Sequence, residues 1–538
     1  MPTLNWIGKE AVVGHHQTVP FHLLKDVPEV ACGEPGSGNL IVQGDNLIAL
    51  KALLPYYAGQ VKCIYIDPPY NTGNEGWAYN DNVNSPLIRE WLGKTVGKEG
   101  ETLDRHDRWL CMMYPRLALL RQFLRADGAI FISLDDNEIS SLICVCDEIF
   151  GQHNRVVQGT WIKRVSPAND SKYFSSDHEY VVIYARDKNL WRPNKLPRTS
   201  KQLVNYKNPD NDPRGPWNSA TYTCNKSANE RPNLYHGLHN PNTGDVVWPK
   251  KTAVWKYDAL RHAENEANGL VWWGKNGKAK MPRLKSFLSD MDDVVPRSFF
   301  HYDESGHTQE ARSELLGILH DCPFTTPKPS RLIERILQIA TNPGDLILDS
   351  FAGSGTTGHA VLKLNNATPE EPPRRFILVE MEQNLARDLT AERVRRVAEG
   401  YTNAKGTPVE GLGGGFRFCE LGEPLFDEGG KVREGVTFGE LARHVYFTET
   451  GEPLPSDEVP DSPFLGECRG VGVYLLFNGI LKDRSARGGN VLTRAVLAGL
   501  PPFDGWRVIY CAGCLLGRDR LLAERVIVRQ TPYEIKTT

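Results

Sequence analysis

Short apolar runs alternate with segments of helical spacing along residues 39–150, and polar turn residues follow each run. The runs predict three buried strands, Leu40–Val42, Val61–Ile66 and Ala129–Leu134. Apolar residues three or four positions apart predict helices over about 47–54, 107–124 and 138–150. Because proline removes a helical hydrogen bond, we expect Pro55 to end the first helix and Pro115 to kink the second. Strands that alternate with helices predict a parallel sheet with helices on both faces.

The alternation fades after residue 150 and returns at about residue 328. Residues 329–340 are predicted to form a helix with Ser330 as its N-cap. Beyond this helix, the pattern predicts two strands, over 346–349 and 375–380. It also predicts a helix that starts at about 359 and, after the second strand, a helix that ends at about 399. This second half completes an α/β domain that the first half begins.

The intervening segment, 151–320, holds seven of the chain's 12 tryptophans together with many Asn, Pro, Gly and Lys residues. A length of 538 residues suggests about three or four domains. The predicted parts are an N-terminal extension (1–38), two halves of a Rossmann-like α/β domain (39–150 and 321–400), an inserted domain (151–320), a linker (401–416) and a small α+β C-terminal domain (417–538).

Composition is ordinary for a globular protein, with 40% hydrophobic and 24% charged residues. The sequence shows neither an apolar run of the roughly 18 residues that a membrane span needs nor a secretory signal, so we expect a cytoplasmic protein without a membrane partner. The 11 cysteines are scattered and odd in number, which favours a reducing compartment. Cys511 and Cys514 form a single pair, so we expect a structural role for them and no metal site.

The net charge of −3 hides a basic segment. Residues 151–300 contain 24 Lys and Arg against 14 Asp and Glu, whereas residues 401–538 contain 16 against 18. Basic residues beside aromatic ones, as in Trp248-Pro249-Lys250-Lys251, suit a surface that grips phosphates. A solvated basic face and a core that contains the tryptophans are the alternatives.

An acid, two prolines and an aromatic residue, Asp67-Pro68-Pro69-Tyr70, follow the predicted strand 61–66 directly. The Asp67 carboxylate and the Pro68 carbonyl could each accept one N–H hydrogen bond from the exocyclic amine of a planar heterocycle. This would turn the nitrogen lone pair towards an electrophile. Pro69 restricts the backbone and removes a competing donor, and Tyr70 could stack on the ring. A proline-rich turn with a capping Asp is the simpler alternative.

A glycine-rich loop follows the predicted strand 346–349, and Gly353, Gly355 and Gly358 match the Gly-x-Gly-x-x-Gly pattern of nucleotide-binding folds. Glu380 ends the next strand, where an acid could accept two ribose hydroxyls. A nicotinamide- or flavin-dependent oxidoreductase is therefore a rival hypothesis, and an empty glycine turn is a further one. Hydride transfer, however, gives no reason for the tetrapeptide at 67–70, whereas a methyl donor that carries an adenosine uses both elements.

The sequence resembles the β-class amino-methyltransferases of DNA, in which the catalytic motif precedes the donor motif. Within that class it is similar to the modification subunits of type III restriction–modification systems. The matching stretches are 44–47, 65–73, 106–109, 131–136, 328–329 and 529–536.

The resemblance implies a seven-stranded sheet of Rossmann type and S-adenosylmethionine as the methyl donor. It assigns the target base to Asp67, Pro68, Pro69 and Tyr70. It assigns the donor to Asp45, Lys328, Asp349, Phe351, Gly353, Gly355 and Glu380. Asp45 and Lys328 could instead be a turn former and a charge beside a helix.

The expected activity is methylation of adenine N6 in duplex DNA, with the base flipped out of the helix and residues 151–320 as the target-recognition domain. Asp rather than Ser at position 67 resembles enzymes that act on adenine more than those that act on cytosine N4. Cytosine N4 methylation, a solitary methyltransferase and an inactive DNA-binding scaffold remain alternatives. The resemblance further implies a prokaryotic protein near the nucleoid and a separate restriction subunit with helicase and nuclease functions. A homodimer is left open.

Overall fold

The computed structural model describes residues 3–33, 36–72, 93–94, 105–168, 171–456, 461–477 and 490–531. Two parts of the sequence matches, Gly73 and residues 532–536, lie outside these ranges. Within them, no helix is both long and apolar enough to span a membrane. The same ranges contain no group of three or more His, Cys, Asp or Glu side chains arranged to hold a metal ion.

One large mixed sheet contains ten strands of the described residues. In chain order these are β1 (His22–Asp26), β2 (Leu40–Gln43), β3 (Val61–Ile66), β4 (Leu124–Leu134), β5 (Arg155–Ile162), β6 (His178–Ala185), β7 (Phe299–Phe300), β8 (Leu346–Asp349), β9 (Arg375–Glu380) and β10 (Arg417–Pro424). Across the sheet the order is β1-β10-β2-β9-β8-β3-β4-β6-β5-β7. The strands predicted over 61–66, 346–349 and 375–380 are confirmed.

The central strands of the large sheet run parallel to one another. The six strands from β10 to β4 are parallel, and β6 runs antiparallel between β4 and β5. The seven strands β2-β9-β8-β3-β4-β6-β5 are the Rossmann-like sheet that the resemblance implied. β1, β10 and β7 extend its two edges, so the sheet is larger than expected.

The helices between these strands are α1 (Asn46–Tyr57), α2 (Arg105–Phe123), α3 (Ile139–Cys146), α4 (Ser330–Ala340), α5 (Thr356–Ala367) and α6 (Glu392–Glu399). Wide π-helical turns follow α3 at Asp147–Gly151 and precede α6 at Leu385–Ala391. Further helices of the same part of the chain are Lys9–Val13, His15–Thr18, Tyr302–Ser305 and Thr308–Ile318.

Two predicted helix ends are wrong. Pro55 lies inside α1, which continues to Tyr57, because a proline in the last turn costs one hydrogen bond while the buried Leu53 and Leu54 keep the helix packed. Ser330 is the first residue of α4 rather than its N-cap, a position that Pro329 takes. The Ser330 hydroxyl instead donates to Glu314 at 2.6 Å.

Residues 195–296 form a compact unit of their own. Its main sheet is antiparallel, with Arg283–Phe287 between Val271–Trp272 and Trp217–Thr221. Its other elements are the hairpin Leu238–His239 with Val246–Val247 and the helices Ser200–Leu203 and Ala259–Ala267. β5, β6 and β7 belong to the large sheet although they lie within 151–320, and the predicted domain limits stay predictions.

The tryptophans of residues 151–320 are mostly core residues, as one of the two sequence hypotheses held. Five are buried, namely Trp161, Trp191, Trp217, Trp255 and Trp273. Trp272 is half-buried, whereas Trp248 is 54% exposed and lies beside Tyr235. Most of these tryptophans therefore form part of the core, and Trp248 presents an accessible ring.

Past Pro424, a second sheet is built from Phe464–Cys468, Val471–Leu475, Trp506–Cys511 and Val526–Gln530. Its other elements are the helices Phe438–Thr450, Arg494–Gly499 and Arg518–Ala523 and the strand pair Val491–Leu492 with Gly513–Cys514. The predicted linker contains a short hairpin of Gly400–Thr402 and Pro408–Glu410. β10, which we expected in the C-terminal domain, pairs with β2 instead.

Candidate active site

Two neighbouring strands carry the two sequence motifs to the same edge of the sheet. β3 and β8 are parallel, with Ile64 opposite Leu348, so Asp67 follows one strand end and Asp349 forms the other. The sheet order reverses here, since the chain goes from β8 to β9 on one side and from β3 to β4 on the other. Open α/β sheets bind ligands in the crevice at such a point.

One cavity joins the two motifs. Asp67 lines it from the β3 side, and Asp349, Phe351 and Gly353 line it from the β8 side. The segment before α4 closes it with Phe324, Thr326, Pro327 and Lys328. Both loops therefore open into a shared crevice, while the ligands assigned to these residues stay predictions.

The proline loop after β3 is held by the helix α2. The Trp109 indole N–H donates to the Pro69 carbonyl at 2.7 Å, and Trp109 is fully buried. Since the Pro69 carbonyl already has this donor, the Pro68 carbonyl is the better candidate for the second acceptor of an amine. The sequence match at 106–109 pointed to this segment without revealing that it fixes the loop.

A hydrogen bond to a buried acid holds the end of the same loop in place. Asn71 has a φ of 57°, a left-handed conformation that Asn tolerates better than most residues. Its side-chain amide donates to Glu138 and to the Arg105 carbonyl. Glu138 is fully buried and also lies 2.6 Å from His106 Nδ1. This network fixes the direction in which the chain leaves Tyr70.

Asp67 belongs to a cluster of four charged side chains that are linked by ion pairs. The Lys328 ammonium lies 2.7 Å from both Asp67 oxygens and 3.6 Å from Glu179 on β6. Glu179 also pairs with Lys163 at 3.2 Å and accepts a hydrogen bond from the Tyr70 hydroxyl at 2.9 Å. Two carboxylates and two ammonium groups therefore balance each other beside the cavity that Asp67 and Lys328 line.

Burial and pairing act together on these groups. Burial raises the pKa of Asp67, and the attraction of Lys328 reduces this rise without cancelling it. Burial would also raise the pKa of Glu179, but Lys328 and Lys163 together hold it below its usual range. Burial would lower the pKa of Lys328, yet Asp67 and Glu179 keep it above its ordinary value, so the ammonium stays charged.

The glycine-rich loop is shaped by hydrogen bonds to two acids. Asp349 accepts from the Phe351 N–H at 3.0 Å and from the Thr357 hydroxyl at 2.5 Å. Glu380 accepts from the Gly353 N–H at 2.8 Å. Gly355, the N-cap of α5, has a φ of 71°, and a Cβ there would lie 2.9 Å from the Thr390 carbonyl oxygen, so the turn requires glycine.

Among the residues that the structure describes, no cationic side chain donates a hydrogen bond to either of these two acids, and both are buried. Burial raises the pKa of Asp349 to about 7. Burial likewise raises the pKa of Glu380 to about 7, although backbone N–H groups oppose the rise. A ligand that brings hydroxyl donors or positive charge would compensate both carboxylates.

A buried arginine supports the loop from behind. The Arg393 guanidinium donates to the Ser354 carbonyl and to the Thr356 hydroxyl, and it pairs with Glu314 at 3.2 Å. His359 lies 3.1 Å away, and burial lowers its pKa to about 3. Sequence reasoning missed Arg393, because its partners lie 34 to 79 positions earlier in the chain.

Asp45 has a structural role, and it also lies beside the strand that ends in Glu380. Its carboxylate caps α1 through the N–H groups of Leu47 and Ile48 and pairs with the buried Arg116 at 3.2 Å. The Gly44 N–H donates to the Glu380 carbonyl, so Asp45 follows the strand that adjoins β9. Lys328, predicted for the donor, is brought to Asp67 instead.

The fold and the cavity define a Rossmann-like protein in which an acid after β3 and a glycine-rich loop after β8 line the same cavity. The model of the N6/N4 methyltransferase family, described as DNA methylase, matches residues 61–392. This range contains both motifs and most of the chain. The protein belongs to this family of DNA methylases.

Curated relatives fit this membership. The chain is 33% identical to the type III restriction-modification enzyme StyLTI Mod subunit of Salmonella typhimurium, over 66% of this chain and 54% of that protein. It is 30% identical to the EcoP15I Mod subunit of Escherichia coli, over 74% and 69%. It is 27% identical to the type II methyltransferase M.KpnI of Klebsiella pneumoniae, over 68% and 89%. The chain thus matches little more than half of the StyLTI subunit.

Solved structures show weaker likeness. The DNA modification methylase TTHA0409 from Thermus thermophilus, complexed with S-adenosyl-L-methionine, aligns with a TM-score of 0.30 and 14% identity, over 66% of this chain and 95% of that chain. The cytosine-N4-specific PvuII DNA methyltransferase aligns with a TM-score of 0.34 and 12% identity, over 66% and 86%.

Proposed function

We propose that this protein transfers a methyl group from S-adenosylmethionine to the N6 amine of adenine in duplex DNA. The observation that carries the proposal is the single cavity that Asp67 shares with Asp349, Phe351 and Gly353. An amine acceptor and a nucleotide loop that face each other are what methyl transfer to a base amine requires. An oxidoreductase would have no use for the first of them.

The donor fits the charge of the β8 side. S-adenosylmethionine supplies an electrophilic methyl group, and it carries positive charge and two ribose hydroxyls. The buried, raised-pKa carboxylate of Glu380 would accept the hydroxyls, while Asp349 would favour the positive charge. Phe351, Gly353 and Gly355 would form the wall along which the donor lies, and Asp45 would lie near its adenine.

The β3 side would hold and orient the amine. Asp67 and the Pro68 carbonyl would accept its two N–H groups, which turns the nitrogen lone pair towards the donor. As the new N–C bond forms and the C–S bond breaks, the nitrogen loses one proton, and Asp67 can accept it because burial has raised its pKa. Positioning in a cavity that excludes water would supply most of the rate gain.

The base must leave the duplex to reach this cavity. Flipping costs a few kcal/mol, and stacking on Tyr70 would return about 1–3 kcal/mol. Asp at position 67 supports adenine as the target, in line with the family resemblance, and methylated cytosine is the competing outcome.

We assign DNA contact to the unit 195–296. It contains 16 Lys and Arg against 10 Asp and Glu, and the exposed Trp248 precedes the exposed Lys250 and Lys251. If these residues contact phosphates, DNA affinity should fall steeply with salt concentration. A flat salt response would assign this surface another role.

The names of the relatives support a place in a restriction–modification system. Because the StyLTI and EcoP15I proteins are Mod subunits, we propose that this chain modifies DNA in the prokaryotic cytoplasm beside the nucleoid and joins a separate restriction subunit.

Methylation-sensitive sequencing of DNA from cells that express the chain tests the proposal. We expect N6-methyladenine at one recurring sequence, and none in cells that express the Asp67→Ala variant. Methylated cytosine would change the target base. DNA identical to that of cells without the chain would contradict the proposed function.

A further inference from the structure

The Lys328 ammonium lies where the proposed mechanism needs the target amine. It is 2.7 Å from both Asp67 oxygens, so it occupies the position in front of the carboxylate that the amine of the base would take. It also lies 4.9 Å from the centre of the Tyr70 ring, the surface on which the base would stack. A base can pair with Asp67 only if this ammonium moves.

Moving a buried ammonium away from its carboxylate is costly unless another carboxylate receives it. Glu179 is such a second acceptor, since it is buried and its Oε2 lies 3.6 Å from the same nitrogen. A shift of about 1 Å would bring the two atoms to charge-assisted hydrogen-bond distance. The backbone can stay in place meanwhile, because the Lys328 carbonyl is held by the Thr356 hydroxyl.

Glu179 is itself fixed by two further donors. Lys163 pairs with its Oε1 at 3.2 Å, and the Tyr70 hydroxyl donates to its Oε2 at 2.9 Å. The same carboxylate therefore contacts the stacking residue and the ammonium that would leave. Lys163 competes with Lys328 for it, so the charge on Lys163 should weaken the hold of Glu179 on Lys328.

We propose that Glu179 is a positioning residue of the methyl-transfer reaction, which receives Lys328 when the target amine replaces that ammonium on Asp67. The proposal rests on the proposed function. It assigns to β6 a role that none of the sequence motifs contains. Glu179 would not touch the base, and it would act through Lys328 and Tyr70.

The test is a double-mutant cycle on the single-turnover rate of methyl transfer to the recognised duplex at saturating DNA and donor. Glu179→Gln leaves Lys328 with Asp67 as its remaining carboxylate, so we expect the rate to fall about tenfold or more while donor affinity changes less than twofold. In the Lys328→Met background, assayed at about pH 9 to keep Asp67 ionised, Glu179→Gln should change the rate less than twofold.

Two matched variants separate charge exchange from a structural role. Lys163→Met removes the competing cation, so at about pH 9, where Glu179 stays ionised without Lys163, the rate should equal or exceed that of the wild type, whereas a structural role of the cluster predicts a loss. Tyr70→Phe removes the hydroxyl contact but keeps all charges, so it should cost less than Glu179→Gln. If Glu179→Gln did not fold, Lys163→Met would decide by the sign of its effect.

Three results would overturn the inference: a Glu179→Gln rate within twofold of the wild type, an equal loss in the Lys328→Met background, or a slower Lys163→Met variant. A wild-type protein that transfers no methyl group would instead contradict the proposed function. The two failures are thus distinguishable in one set of assays.

Discussion

The two sides of the cavity bury their carboxylates in different ways. On the β3 side, Asp67 and Glu179 face two ammonium groups. On the β8 side, Asp349 and Glu380 accept hydrogen bonds from backbone N–H groups and one hydroxyl of the described residues. On the β3 side, lysines of the protein compensate the negative charges. On the β8 side, Asp349 and Glu380 each have a pKa of about 7.

The difference matches the ligands that each side is proposed to bind. A neutral base cannot compensate a buried charge, so the side that binds it keeps its own cations. A cationic donor with hydroxyl groups brings the missing charge and hydrogen bonds, so its side can leave the acids unpaired until the donor arrives.

Asp67→Ala should separate the two sides most strongly. We expect methyl transfer to fall at least about a hundredfold, the effect of losing one oriented group at a reacting centre, while calorimetry shows unchanged donor binding. Asp67→Asn is the matched control, since it keeps the shape and loses the charge. Transfer at the wild-type rate in either variant would break the comparison.

Glu380→Ala should do the reverse. Losing two hydrogen bonds to a charged group costs about 3 kcal/mol or more, so donor affinity should fall about a hundredfold. DNA affinity, measured by fluorescence anisotropy, should stay the same. A donor affinity equal to that of the wild type would remove Glu380 from the site.

Tyr70 variants test stacking on the compensated side. Tyr70→Ala should slow transfer about tenfold to a hundredfold, as expected for the loss of about 1–3 kcal/mol of stacking. Tyr70→Phe should have a milder effect, because the ring remains. Equal rates in the two variants would exclude a stacking role.

The pH dependence should show the smallest effect, and only on the β8 side. Donor affinity should rise about threefold from about pH 7 to about pH 8 and then level off, because Asp349 and Glu380 must both ionise to attract the donor. The free energy of unfolding of the ligand-free protein should decline from about pH 4 to about pH 7, since these acids ionise near pH 4 in the unfolded chain. Donor affinity that is independent of pH would contradict the raised pKa values.

Local sequence patterns predicted the strands that matter most. Val61–Ile66 is an apolar run, interrupted only by Lys62, that is followed by an acid and two prolines, so both its type and its end are encoded locally. The same holds for Leu346–Asp349 and the glycine loop after it. Helix ends were less predictable, because the packing of Leu53 and Leu54 outweighed the proline after them.

The charged cluster could not be predicted in this way. Glu179 reaches Tyr70 from more than 100 positions later in the chain, and Lys328 reaches Asp67 from more than 250. Their meeting depends on the order β3-β4-β6 in the sheet, which no local pattern contains. β10 was misplaced for the same reason, since its partner β2 lies almost 400 residues earlier.

The most direct test of the shared cavity is a crystal structure of the protein with sinefungin, a donor analogue that carries an amine in place of the methylated sulfur. The account predicts that this amine lies within about 3.5 Å of the Asp67 carboxylate or the Pro68 carbonyl, with the analogue's ribose on Glu380. An analogue bound elsewhere, or one whose amine faces away from Asp67, would contradict it.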